Sequence, residues 1–383
     1  GPIRRAEAAR DAAKKSVESL ENSFASVMVM KEGPPRDAFV LVRGEYDRKG
    51  ELVSPAFPSM LPNPGTKPDR LSFAKWMVSP ENPLVSRVWV NRAWERFFGI
   101  GLSRDSGNLG TQAEFPVHPE LLDWLAVEFR ETGWDMKKMH KLLLTSSAYR
   151  QSARVSPELA ARDPENRLLA RGPRFRLAGE VLRDQALFAG GLLVEKIGGP
   201  SSRPYMPEGV WDETSRYGDL RGYKHDKGEG LYRRSLYTVW KRTAAPPTML
   251  LFDAPSREVC SVRRGRTNTP LQALALLNEV TFVEAARGLA ERMLSEGGAD
   301  VRGRLDLGLR LALARPASAR ELDILEAGLK ADLARCKADP VAAAKLASAG
   351  EKPARKELDP AEVAAYAMAA NVLLNLDEFV TRE

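Results

Sequence analysis

Residues 269–294 read TPLQALALLNEVTFVEAARGLAERML, and this stretch decides the fold class. Its apolar residues recur at helical spacing. Pro270 suits the first turn of a helix, and Thr269 stands at the capping position before it. The pattern predicts a long helix from Pro270 onward. It continues downstream in VRGRLDLGLRLALAR (301–315), SARELDILEAGLKADLARC (318–336) and DPAEVAAYAMAANVLLNL (359–376). Ser318 with Glu321 and Asp359 with Glu362 have capping-box spacing, and Pro360 occupies a first helical position. The expected class is mainly α: an irregular multi-helix domain with a few short β-strands and long loops.

Immediately upstream lies the basic part of the chain. Between Arg233 and Arg266 stand Arg233, Arg234, Lys241, Arg242, Arg257, Arg263, Arg264 and Arg266, opposed only by Asp253 and Glu258. That local excess approaches the net charge of +7 for all 383 residues. Residues 190–230 are rich in Gly, Pro and Tyr and read as a long loop. GEGLYRRSLYTVW (228–240) alternates and predicts one strand.

Farther toward the N-terminus, residues 3–26 read as a helix and FASVMVMKE and DAFVLVRGEY as short β-like runs. SPAFPSMLPNPGTKP (54–68) must be extended because its prolines forbid regular structure. These parts, 1–69, are expected as an arm packed as one unit with a helical main domain, 70–383. Within that domain ENPLVSRVWVNRAWERFFG ends a helix at Gly99, with Asn91 and Arg92 expected to make buried polar contacts. HPELLDWLAVEFRET opens at Pro119, and DMKKMHKLLLTSSAYRQS opens with Asp135 as N-cap.

The composition, 43% hydrophobic and 28% charged, is that of a folded protein. No apolar run is long enough to span a membrane as a helix. Two cysteines, Cys260 and Cys336, cannot build a disulfide framework or a Cys-rich metal site. His118, His140 and His225 lack metal-ligand spacing, so no metal site is expected, and no CxxCH haem motif is present. The glycine-rich 99–110 loop matches no nucleotide-binding pattern, and the basic residues lie on no nucleic-acid motif. Gly1-Pro2 has the form left by protease cleavage, which suggests a segment excised from a longer chain.

Several ordered phrases carry a resemblance: NRAWERFFGIGL, HPELLDWLAVEFRETGWDMKKMHKLLLTSSAYRQSA, DPENRLL, RRSLYTVWKR, FDAPSREVCSVRRGRTNTPLQALALLNE and VLLNLDEFV. From about Met28 to Phe379 the chain resembles the planctomycete-specific domain of unknown function found C-terminally in proteins that begin with planctomycete cytochrome c domains. The resemblance implies a periplasmic or otherwise extracytoplasmic location and an upstream haem domain in the parent chain. It implies no cofactor in this segment, and it supplies no catalytic residues.

Three functions remain open. Arg233, Arg234, Tyr237, Lys241, Arg242, Arg263 and Arg264, with Thr267, Thr269 and Gln272 at the helix start, form a candidate site for an anionic or carbohydrate ligand. An acidic polysaccharide or an acidic protein module would fit it. The competing reading of the same residues is internal salt bridges, loop-carbonyl contacts and helix capping. Glu180 and Asp184, one helical turn apart, and His118 are candidate acid/base groups of a polysaccharide-active enzyme. Beside Arg183, and downstream of Arg174 and Arg176, the two carboxylates also suit a salt-bridged face. The third reading is a structural scaffold for the upstream cytochrome c module.

Overall fold

About half of the chain is helical, and the mainly α class expected from the sequence is the one observed in the computed structural model. The structure describes residues 1–382 apart from 25, 32, 35, 212–221 and 242. Two compact units are present, Gly1–Asn82 and Pro83–Glu383.

In the first unit, α1 (Pro2–Ser23) buries none of its side chains. Strands β1 (Ala38–Leu41) and β2 (Lys49–Val53) form an antiparallel hairpin. The earlier β-like run, residues 26–31, forms no strand. Helix α2 (Arg70–Met77) is capped by Asp69, whose carboxylate accepts from the Ser72 amide at 2.8 Å. Phe57, Phe73 and Trp76 cluster there, and the Trp76 indole donates to the Pro62 carbonyl at 2.7 Å. That bond fixes the proline-rich segment within this unit.

The second unit has two apolar cores. The smaller joins α3 (Val85–Phe98), α4 (Pro119–Glu131) and α5 (Met136–Thr145) around Val90, Leu125, Phe129, Met139 and Leu143. Aromatic pairs tighten it, with Trp89 on Phe129 and Trp94 on Phe98 stacked at 3.9 and 3.8 Å. Asp135 caps α5 as expected. That helix stops at Thr145, however, because Ser146 turns back to bond the Leu143 carbonyl. After α6 (Pro157–Arg162), the two-residue strand β3 (Phe175–Arg176) pairs with β4 (Thr381–Arg382), so the chain's end closes beside its middle.

The larger core is made by α7 (Gly179–Ala189), α9 (Pro270–Asn278), α10 (Val280–Glu296), α11 (Val301–Leu313), α12 (Ala319–Ala338), α13 (Pro340–Ala347) and α14 (Pro360–Asn375). The short α8 (Pro247–Leu251) and α15 (Asp377–Val380) complete it. Both predicted C-terminal caps form, at Ser318/Glu321 and at Asp359 with Pro360. The long helix expected from Pro270 is broken at Glu279, which is extended. Its carboxylate accepts from the Thr281 amide at 3.0 Å and caps α10, while Asn278 caps the end of α9 by donating to the Leu274 carbonyl. Side-chain bonds on both sides thus outcompete one continuous helix. Gly190 and Gly288 let α7 and α10 touch backbone to backbone. A Cβ on Gly288 would lie 2.5 Å from the Gly190 carbonyl oxygen.

Helix α10 lies deepest and carries a buried ladder of charges. Glu284, Arg287 and Glu291 are all essentially inaccessible. Arg287 bonds Glu291 at 2.6 Å and the Lys352 carbonyl at 2.7 Å. Glu284 accepts from the Tyr232 and Tyr205 hydroxyls and the Lys352 amide at 2.7–2.9 Å.

Removing one partner of a buried charge pair costs about 3–5 kcal/mol. Arg287→Met is therefore expected to lower the unfolding free energy by about that amount in urea titration; a loss under about 1 kcal/mol would remove the ladder from the fold's determinants. A second outcome concerns pH. Bonds from Arg315, then from Ser318, pull the Glu321 carboxyl down to about 2 from an ordinary 4.5. The folded value lies below the unfolded one, so this contribution is complete above about pH 4.5 and is lost as pH falls toward 2. Glu321→Gln is expected to flatten the fall in melting temperature across that window.

Candidate functional site

The basic stretch 233–266 divides into two populations. In the first, guanidiniums hold loops. Arg233 is buried, bonds the carbonyls of Lys196, Gly198 and Pro200, and stacks on the Tyr237 ring at 3.7 Å. Tyr237 in turn accepts from the Gly198 amide at 2.8 Å. Arg183 of α7 bonds the carbonyls of Leu231 and Arg233. These side chains take the carbonyls that a ladder would use, so residues 228–240 form short 3-10 turns and isolated bridges in place of the expected strand. Arg234 stands 3.8 Å from Asp184, and Lys241 lies over the Trp211 ring at 5.1 Å. Arg242 lies outside the described residues.

The second population faces a cleft of about 430 Å³, open to solvent, between the two cores. One helical face of α3 contributes Arg92, Glu95 and Arg96 at i, i+3 and i+4. The β3–β4 pair contributes Arg176 and Arg382, and the loop before α9 contributes Arg263, Arg264 and Arg266. Phe175, Tyr149, Phe252 and Val181 supply apolar wall. Arginines outnumber carboxylates in the lining by seven to two.

Some of these cations are matched. Arg264 binds both oxygens of Glu180 at 2.9 Å. Arg266 donates to the Gly99 carbonyl at 2.6 Å and lies over Phe175 at 4.4 Å. Gly99, with φ +85°, permits this, because a Cβ there would sit 2.8 Å from the Phe175 ring. Arg382 bonds the Tyr149 hydroxyl at 3.1 Å and the Pro173 carbonyl at 3.0 Å. Arg263 is loosely held, 3.7 Å from Glu95.

Others are not matched. Among the described residues the guanidiniums of Arg92, Arg96 and Arg176 have no hydrogen bond or ion pair. Arg92 is exposed in the cleft instead of making the expected buried contacts. Asn91 does make them, bonding both the amide and the carbonyl of Ser103. Arg176 feels only longer-range attraction from Asp377 and Asp253, and partial burial pulls its guanidinium below the ordinary arginine value. Burial does the same to Arg266. Both remain cations at neutral pH, held where water screens them poorly.

The helix-start residues are engaged in local structure. Thr267 bonds Asp253 through its amide at 2.7 Å and through its hydroxyl. The Thr269 hydroxyl caps α9 by accepting from the Gln272 amide at 3.4 Å. The buried Gln272 side chain donates to the Leu251 carbonyl and to Thr267. Of the predicted binding residues that are described, only Arg263, Arg264 and Gln272 line the cleft.

The acid/base candidates do not converge. Glu180 is bound to Arg264, while Asp184 accepts from the Ser235 amide at 2.7 Å. Neither lines this cleft or the cavity beside it. Arg174 pairs with Asp377 and not with either of them. His118 lies in the adjoining cavity of about 480 Å³, 3.0 Å from the Arg167 carbonyl. Glu95 and Asp253, the carboxylates that do face the cleft, carry no mark in the sequence as acid/base groups. Glu95 is fixed by the Ser106 hydroxyl at 2.7 Å and Asp253 by Thr267. The one local signal for the cleft is the i, i+3, i+4 set of charges in an otherwise aromatic helix. No cluster of metal-ligating side chains occurs among the described residues, and no helix is long and apolar enough to cross a membrane.

No curated protein and no solved structure matches the chain. A family model described as PSD1, protein of unknown function (DUF1553), matches residues 69–329. That is well over half of the chain, and the chain therefore belongs to the PSD1 family of proteins of unknown function (DUF1553).

Proposed function

We propose that this domain binds an acidic carbohydrate ligand, bearing carboxylate, sulfate or phosphate, in the arginine cleft. The observation that carries the reading is the trio Arg92, Arg96 and Arg176, unmatched cations converging on one cavity from α3 and β3. Guanidinium forks bind such oxyanions bidentately, and Tyr149 and Phe175 offer apolar faces for a sugar ring. The cavity volume is that of a small-molecule site, which favours a carbohydrate over a docked acidic protein module. The enzyme reading has less support, because Glu180 and Asp184 are each committed to a structural partner. The resemblance in sequence supports a wider setting: an exported, planctomycete-type multidomain protein with a c-type haem domain upstream, acting outside the cytoplasm.

The test is calorimetric titration with glucuronate, sulfate and phosphate at low and moderate ionic strength. Binding is expected to weaken as salt rises. Arg96→Ala and Arg176→Ala are each expected to weaken it about tenfold or more, since a charge-assisted bond contributes about 1.5–3 kcal/mol. Absence of binding by all three probes at millimolar concentration, with both variants folded, would overturn the reading.

A further inference from the structure

The arginine cleft adjoins the cavity that holds His118, and Phe175, Arg263 and Arg266 line both. Both open to solvent, so a ligand seated in one borders directly on the other. The chamber walls differ in kind. The first presents unmatched guanidiniums. In the second, cations are already consumed: Arg104 binds Glu165 at 2.6 Å, Arg167 pairs with Glu114, and Arg171 bonds the Asp163 and Pro164 carbonyls at 2.8 Å. A second anion placed there would meet carboxylates as well as cations, and the loosely held guanidinium is that of Arg263, which both chambers share.

The second chamber also offers apolar surface. Phe115 stands on its rim with 77% of its surface exposed, and Val155 is half exposed. Trp94, Phe98, Ile100, Leu102 and Leu169 add apolar wall, and between these surfaces stand paired carboxylates and guanidiniums and the His118 imidazole. Mixed walls of this kind suit a hydroxyl-rich ring, whose faces stack on an aromatic and whose hydroxyls meet charged rims. An alkyl chain would leave those polar groups facing hydrocarbon. The part of the boundary best able to give way is Arg263, with a 58% exposed side chain held only 3.7 Å from Glu95.

We infer that the ligand is an oligosaccharide of at least two units, with an acidic unit in the arginine chamber and an uncharged unit in the Phe115 chamber. This rests on the arginine cleft being the ligand site proposed above, and its failure is separable from the failure of that reading. The experiment compares glucuronate with a tetrasaccharide of alternating glucuronate and N-acetylhexosamine. It uses the wild-type chain, Phe115→Ala and Arg96→Ala, with dodecanoate as an alkyl control. The tetrasaccharide is expected to bind about tenfold tighter than glucuronate, since the second unit adds contacts without a second loss of overall freedom. Phe115→Ala, at an exposed position, is expected to remove most of that gain and leave glucuronate binding unchanged, whereas Arg96→Ala weakens both. Equal affinity for monomer and tetrasaccharide overturns the two-chamber inference while the arginine cleft stands. Tighter binding of dodecanoate than of the tetrasaccharide, sensitive to Phe115→Ala, overturns the sugar in the second chamber. No binding of any probe overturns both.

Discussion

The buried ladder on α10 is the constraint from which the rest of the second unit follows. An unpaired charge at the depth of Glu284, Arg287 or Glu291 would cost several kcal/mol, so each must be met by a partner. The partners come from far along the chain. Tyr205 and Tyr232 bring in the long glycine- and proline-rich segment, and Lys352 brings in the loop before α14. Arg355 reaches to 3.6 Å from Glu291. Burial, followed by the bond to Glu284, pushes the Tyr205 and Tyr232 phenols above their ordinary value, which keeps both as donors at any working pH. The helix therefore packs its apolar faces and pins two loops with the same turns.

Those pinned loops determine how the basic stretch is used. Once Tyr232 is anchored, the next residue, Arg233, points at carbonyls of residues 196–200, and Arg183 satisfies the carbonyls of Leu231 and Arg233. Charge that looks like a binding surface in one dimension becomes the stitching of an irregular segment that has no ladder to satisfy its backbone. The cleft is what remains after this stitching. Its floor is fixed by matched groups, with Arg266 on Gly99 and Arg382 on Tyr149, while the unmatched guanidiniums of Arg92, Arg96 and Arg176 project from rigid elements.

How much of this was legible follows from range. Caps act within four residues, so Asp135, Ser318, Asp359 and Pro360 announce their helices correctly. The break at Glu279 is equally local but hidden, because Asn278, Glu279 and Thr281 also fit a helix interior and only their side-chain bonds decide otherwise. The cleft is not local at all: Arg92, Arg176, Arg263 and Arg382 are neighbours only through packing of the two cores and the β3–β4 pair. A window that counts charge along the chain finds 233–266, of which only the end reaches the cleft. It passes over Arg96, and it meets Arg176 only in a separate short basic run with Arg171 and Arg174.

The position of the family match sharpens the division between scaffold and site. Residues 69–329 contain every unmatched guanidinium of the cleft as well as the α10 ladder. Beyond them lie α14, which packs in the larger core, and β4, whose Arg382 bonds the Tyr149 hydroxyl and the Pro173 carbonyl. The final segment thus closes the cleft without adding a free cation to it. A purely structural role would account for Arg382, Arg264 and Arg266, since each is consumed by a carbonyl, a hydroxyl or a carboxylate within the fold. It gives no reason for Arg176, a partly buried guanidinium with neither hydrogen bond nor ion pair among the described residues. Desolvation there is a cost that the longer-range attraction of Asp377 and Asp253 offsets only in part, and an oxyanion in the cleft would be a partner able to offset the rest.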